Sequence, residues 1–262
     1  MKSRILPAAL GAMRCEFNMQ LRRKAVWIAL LGTSLIMYIW IRGMWRVPPV
    51  LPLSVTIGDW AIRCNALLPV VYGVLLADRL PRDQRLHLTE LLDSLPAPAG
   101  SRLTGKYLGS ALAIAVPIFL AYCTGIAAIL IDRHDPLTLP LALVAFVAII
   151  LPGLLFVAAF SVATPAILWV PLYQFLFVGY WFWGNLLSPV YGIPTLSDTL
   201  FTPVGRSAAA GFFNNHTSDI VTITGNTVSG TQGALSILLL LGGGALALLT
   251  AHRYLTWQRA HQ

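Results

Sequence analysis

Of the 262 residues, 57% are hydrophobic and only 11% are charged, against about 45–50% and about 25% in an ordinary soluble domain, so the composition excludes a soluble globular protein. A bilayer-crossing helix takes about 20 residues, which leaves room for several spans and little else, and a single integral domain over residues 1–262 is expected. On such a chain a net charge of +8 reports orientation and contact with anionic lipid, not nucleic-acid binding.

In chain order, residues 1–24 come first and are basic. Leu6, Leu10, Met13, Phe17 and Leu21 recur at helical spacing with Arg14, Asn18 and Arg22 opposite. The pattern predicts an amphipathic helix lying in the headgroup plane, with a soluble arm packed on a partner as the alternative. Six apolar runs follow, roughly Ala25 to Ile41, Trp60 to Ala77, Tyr107 to Ile131, Leu137 to Phe160, Pro165 to Trp183 and Ala234 to Ala251. Each has a length suited to a hydrocarbon core of about 30 Å. Each is predicted to be helical, because an open chain in lipid must satisfy its own backbone groups. The break between the fourth and fifth runs rests on Pro165 in the uncharged stretch FSVATPAI. With that topology thirteen Lys and Arg residues fall on one side and five on the other, so both termini and the segment after the second run are expected to be cytoplasmic, in an inner (plasma) membrane.

Two segments outside the runs stand out. Residues 78–106 hold a concentration of charge in a chain that otherwise avoids it. Pro81 opens a polar piece in which Leu88, Leu91, Leu92 and Leu95 share one helical face, and Pro96, Pro98 and Gly100 close it. Arg82, Asp83, Arg85, His87, Glu90 and Asp93 surround the leucines with both signs of charge. So short a helix cannot bury that face by itself, which points to docking into another protein, the alternative being a solvated loop folded back on the bundle. Residues 184–233 are the long external segment, with Pro189, Pro194 and Pro203 and short apolar pieces that predict broken, re-entrant helices.

Smaller signals lie within the runs. Gly105, Gly109 and Ala113 open the third at four-residue steps, a pattern that lets helices approach closely. Tyr173, Phe177, Tyr180 and Trp181 belong to an aromatic cluster near the outer end of the fifth. They are candidates to line a path for an apolar or amphipathic cargo, or else an interfacial aromatic belt. Asp59 and Arg63 are spaced to pair on a helix. Cys15, Cys64 and Cys123 are far apart and offer no metal or redox spacing.

The sequence contains no GxxxxGK[ST] loop, HExxH pair or GxSxG elbow, and no cofactor or catalytic group is expected of it. The run interiors lack Asp, Glu, Lys and His beyond the end turns, where ion-coupled carriers keep such groups, so uphill movement would need an external energy source. The stretch EFNMQLRRKAVWIALL entering the first run, ADRLPRDQRLHLTELLDSLP followed by GKYLG, and the long segment before the last run together resemble the permease subunits of type-2 ABC exporters. The resemblance implies two permease subunits, as a homo- or heterodimer, with two separate ATPase subunits that bind ATP and Mg. It also makes Arg82, Asp83, Arg85, Leu88, Glu90, Leu91, Leu92 and Leu95 the coupling helix. The rival expectation is a non-transporting membrane scaffold or sensor that recruits a cytoplasmic protein through the same segment.

Overall fold

The computed structural model describes residues 5–42, 51–79, 81, 99–187, 192–197, 199–215 and 228–261, and among them every regular element is helical. In order these are α1 (Ile5–Leu21), α2 (Lys24–Arg42), α3 (Leu53–Leu76), α4 (Ala99–Arg133) and α5 (Thr138–Ala145). A π-helical segment (Phe146–Ile150) joins α5 to α6 (Leu151–Ala163), which ends in a 3-10 turn (Thr164–Ala166). Then come α7 (Val170–Trp181) with a π turn (Phe182–Leu186), the short α8 (Arg206–Phe213) and α9 (Gly230–Ala260). Four helical runs among the described residues are long and apolar enough to cross a membrane: Leu53–Leu76, Gly100–Arg133, Thr138–Ala166 and Gly230–Gln258. That is the makeup of an integral membrane protein. The apolar stretch Lys24–Met37 of α2 is shorter, and α7 has 12 residues before its π turn.

Several helices start earlier than their apolar runs. Pro52 is extended, with φ −54° and ψ 147°, and α3 begins directly after it at Leu53. Asp59 and Arg63 therefore lie inside α3, where Arg63 Nε donates to Asp59 Oδ2 at 2.6 Å. Residues 99–106, read above as the end of a polar loop, are instead the first turns of α4. Within that polar stretch Thr104 bonds back to the preceding turn, donating its hydroxyl to Gly100 O at 3.0 Å and Ser101 O at 3.1 Å. The last helix likewise starts at Gly230, ahead of Ala234, because Ser229 and Gln232 form a reciprocal capping box. At Pro165 the break falls where the sequence places it, in the 3-10 turn that closes α6.

Helix α3 is the axle of the bundle and packs against α2, α4, α5, α6, α7 and α8. At its centre Asn65 is fully buried, and its Nδ2 donates to Ile149 O at 3.1 Å, Pro203 O at 2.8 Å and Val204 O at 3.1 Å. Ile149 belongs to the π segment, where the helical ladder is interrupted and a neighbour is needed to re-satisfy backbone groups. Pro203 and Val204 belong to the chain between α7 and α8, which this one amide ties to the middle of the bundle. Two glycines make room for the contact. A Cβ at Gly153 would stand 2.1 Å from Pro203 O, and Gly205 takes φ +84°, a conformation that favours glycine, with Ile149 pressed against it. Asn185 supports the same chain from the other side by accepting from Thr202 Oγ1 at 3.1 Å, and Ser236 of α9 donates to Leu200 O at 2.6 Å.

Replacing Asn65 with Leu strips the shared donor from three buried carbonyls, and an unsatisfied buried acceptor costs about 1–3 kcal/mol. We expect Asn65→Leu to lower the melting temperature in detergent and to expose residues 199–215 to protease. An unchanged melting temperature with unchanged protection of that stretch would refute the clamp.

Candidate functional site

Helix α1 lies along the first half of α4, and the two run in the same direction, since Ala9 and Ala12 face Gly105 while Met13 and Glu16 face Gly109. A Cβ at Gly105 would fall 2.7 Å from both Ala12 Cβ and Ala9 O, and one at Gly109 would fall 2.6 Å from Met13 O and 2.8 Å from Glu16 Cβ. Any larger residue at either position drives α1 away from α4. Ala113, one turn further on, is buried as well.

This close approach carries a carboxylate into the interior. Glu16 is buried, as are Gln20 one turn later on α1, Ser110 on α4 and Arg79 just past the end of α3. Glu16 Oε1 accepts from Gln20 Nε2 at 2.9 Å and from Ser110 Oγ at 3.4 Å, and pairs with Arg79 Nη1 at 3.5 Å. Arg79 Nη2 in turn donates to Gln20 Oε1. Lys106 stands near both Glu16 and Arg79. Three helices that share no stretch of sequence thus meet in one ionic junction. Its position matters, because in the sequence Arg79 precedes and Ser110 follows the stretch 82–98 that carries the leucines.

The face that α1 buries differs from the face its apolar stripe selects. Ala9, Ala12, Met13, Glu16 and Gln20 turn toward α4, whereas Leu10 is 45% exposed and Phe17 lies at the flank. Helix α1 thus stands lengthwise against α4 and meets it through small and polar residues. The reason is that lipid is as apolar as leucine, so helices in that setting associate through small residues and polar pairs instead of large apolar ones. The usable signal was Glu16 itself, the sole acidic residue before Asp59, set among small residues at the spacing of Gly105 and Gly109.

The sequence-predicted coupling residues Arg82, Asp83, Arg85, Leu88, Glu90, Leu91, Leu92 and Leu95 lie outside the described residues. Of the aromatic candidates, Tyr173, Phe177 and Trp181 are buried on one face of α7, and Tyr180 is half-buried. Tyr173 OH shares a hydrogen bond with Ser161 Oγ at 2.9 Å, Trp181 Nε1 donates to Ala66 O at 2.7 Å, and the Phe177 ring occupies the space where Gly73 lacks a side chain. In this arrangement the three rings are packed into the joint between α7, α3 and α6. The exposed aromatics of this region are Phe175, Phe182 and Trp183. No group of three or more His, Cys, Asp or Glu side chains among the described residues is arranged to hold a metal ion. Neither a protein-family model nor a curated protein matches the sequence.

Removing one member of a buried ion pair leaves the other charge uncompensated, at a cost of roughly 3–5 kcal/mol, whereas replacing both by apolar residues is often neutral. We expect Glu16→Leu and Arg79→Leu each to destabilise the protein strongly, and the double variant to recover most of the loss. Melting temperatures of the four proteins in detergent check this, and strictly additive losses would show that Glu16 and Arg79 do not interact. Gly109→Leu, which forces α1 off α4, should cost about 1–3 kcal/mol by overpacking.

Proposed function

We propose that this chain is the membrane subunit of an ATP-driven transporter built like a type-2 ABC exporter. In this reading it moves an apolar or amphipathic cargo outward along a path at the interface of two permease subunits, and a separate ATPase subunit binds ATP and Mg. The carrying observation is the ionic junction: Glu16, Gln20, Arg79 and Ser110 bind α1, the end of α3 and the start of α4 into one unit at the root of the Arg82–Leu95 segment. A push on that segment by a partner is delivered to three helices together, because buried charges resist separation. The chain around Pro203 and Val204, tied to the middle of α3 through Asn65, supports the same reading by holding the bundle together away from that junction.

The membrane arrangement follows from this function. The four long apolar helices cross the inner (plasma) membrane, and α2 and α7 with its π turn complete six spans. Both termini and the Arg82–Leu95 segment face the cytoplasm, in agreement with thirteen basic residues on that side against five on the other. The leucine face of the segment enters a cleft on the ATPase while Arg85 and Glu90 orient it at the rim. Buried apolar anchors carry most binding energy in such contacts, and rim charges act on association rate and salt dependence.

Leu92→Asp is therefore expected to release the ATPase or to abolish cargo-dependent ATP turnover, while Arg85→Ala weakens the complex mildly and more so at high salt. Co-purification of the ATPase and turnover in reconstituted vesicles measure both effects, with the elution profile of the membrane subunit reporting that it stays folded. Full complex and full transport from Leu92→Asp would remove the coupling role. Capture of a cytoplasmic protein without ATP turnover would favour the scaffold or sensor instead.

A further inference from the structure

A groove of about 430 Å³ runs along the outside of α4, between α1 and the π segment, lined by Phe17, Leu112, Ala115, Val116, Phe119, Leu120 and Phe146. Its lining is wholly apolar. The α4 residues recur at three- and four-residue steps from 112 to 120, so they form one strip about 12 Å long at about 1.5 Å per residue. Phe146 closes the far end with its ring edge-on to Phe119, the centroids 5.1 Å apart. Phe17 of α1 stands at the near end. One turn before Phe17, toward the N-terminal ends that α1 and α4 share, is the exposed Arg14.

We propose that this groove seats one acyl chain of an anionic phospholipid whose phosphate is held by the Arg14 guanidinium. The strip lies within a helix long and apolar enough to cross a membrane, so its occupant comes from the bilayer. Arg14 stands one turn before Phe17, at the end where α4 enters its apolar run, which is where a headgroup belongs when the chain lies along Leu112 to Leu120. Guanidinium and phosphate match in charge and in forked hydrogen-bond geometry. The docking of α1 on Gly105 and Gly109 creates the site, because Phe17 forms the near wall only when α1 stands against α4. The inference rests on α4 crossing a membrane and is independent of the transport reading.

The test uses the full-length protein in phosphatidylcholine vesicles that contain phosphatidylglycerol with a photoactivatable diazirine in one acyl chain. We expect cross-links on the Leu112–Leu120 peptide and on the peptide that holds Phe17, several-fold above those on the exposed leucines of α2 and α9, and competition by unlabelled phosphatidylglycerol. Ala115→Trp, which fills the groove, should abolish this labelling. Arg14→Ala should reduce it several-fold while leaving the labelling from diazirine phosphatidylcholine unchanged. Wild-type labelling spread evenly over α2, α4 and α9 overturns the site and leaves the membrane reading intact, and the same even labelling from wild type decides the matter should Ala115→Trp not fold. A contact between two copies across the groove also overturns it. Absence of acyl labelling on every helix would remove the membrane reading as well.

Discussion

The absence of side chains at Gly105 and Gly109 is the constraint on which the joining of α1, α3 and α4 depends. It lets the α1 backbone settle on α4 and so brings the Glu16 carboxylate under the end of α3, where Arg79 meets it. Without that approach Glu16 would stay in water and Arg79 would be buried without its carboxylate, at a cost of several kcal/mol. The same contact stands Phe17 beside α4 and so shapes the outer groove. One steric fact thus governs an ionic junction and an apolar wall.

The rest of the bundle is held differently. Asn65, Asn185, Thr202 and Ser236 join the chain that precedes α8 to α3, to the π turn after α7 and to α9 through neutral hydrogen bonds, many of them to backbone carbonyls. Amides and hydroxyls satisfy buried backbone groups at a far smaller desolvation cost than ions do. An ionic joint at Arg79 and a neutral one around Pro203 hold α3 in two different ways, the first just past its C-terminal end and the second at its centre.

The helical class, four of the six apolar runs and the stop at Pro165 were legible in the sequence, since apolar length and proline act locally. The early start of α3 was legible too, in Pro52, and that of α9 in the Ser229 and Gln232 spacing, both stronger signals than hydropathy. The face of α1 that meets α4 was not legible in its apolar stripe, because the rule that puts large apolar residues inside belongs to water. In α2 the pattern is openly inverted: Ile28, Leu31, Leu35, Ile36 and Ile39 face outward, while Thr33 is buried and donates to Ala29 O at 2.6 Å. The π segment at Phe146–Ile150 had no local signature, because it depends on an asparagine far away in sequence and on a loop folding back from beyond α7. Tyr173, Phe177 and Trp181 show the same limit: composition marks an aromatic cluster, and only the fold tells which rings are inside.

The docking of α1 on α4 is the central claim, and an engineered disulfide tests it most directly. With Cys15, Cys64 and Cys123 replaced by serine or alanine, the pair Ala12→Cys and Gly105→Cys brings two Cβ positions 2.7 Å apart, so a slight parting of the helices reaches the about 3.5–4.5 Å that a disulfide bridges. Mild oxidation in native membranes should link the pair rapidly and nearly completely, as read by the mobility of a chain cut between α1 and α4. Failure to cross-link, with both thiols open to a membrane-impermeant maleimide in inside-out vesicles, would show that α1 lies apart from the bundle and would contradict the account.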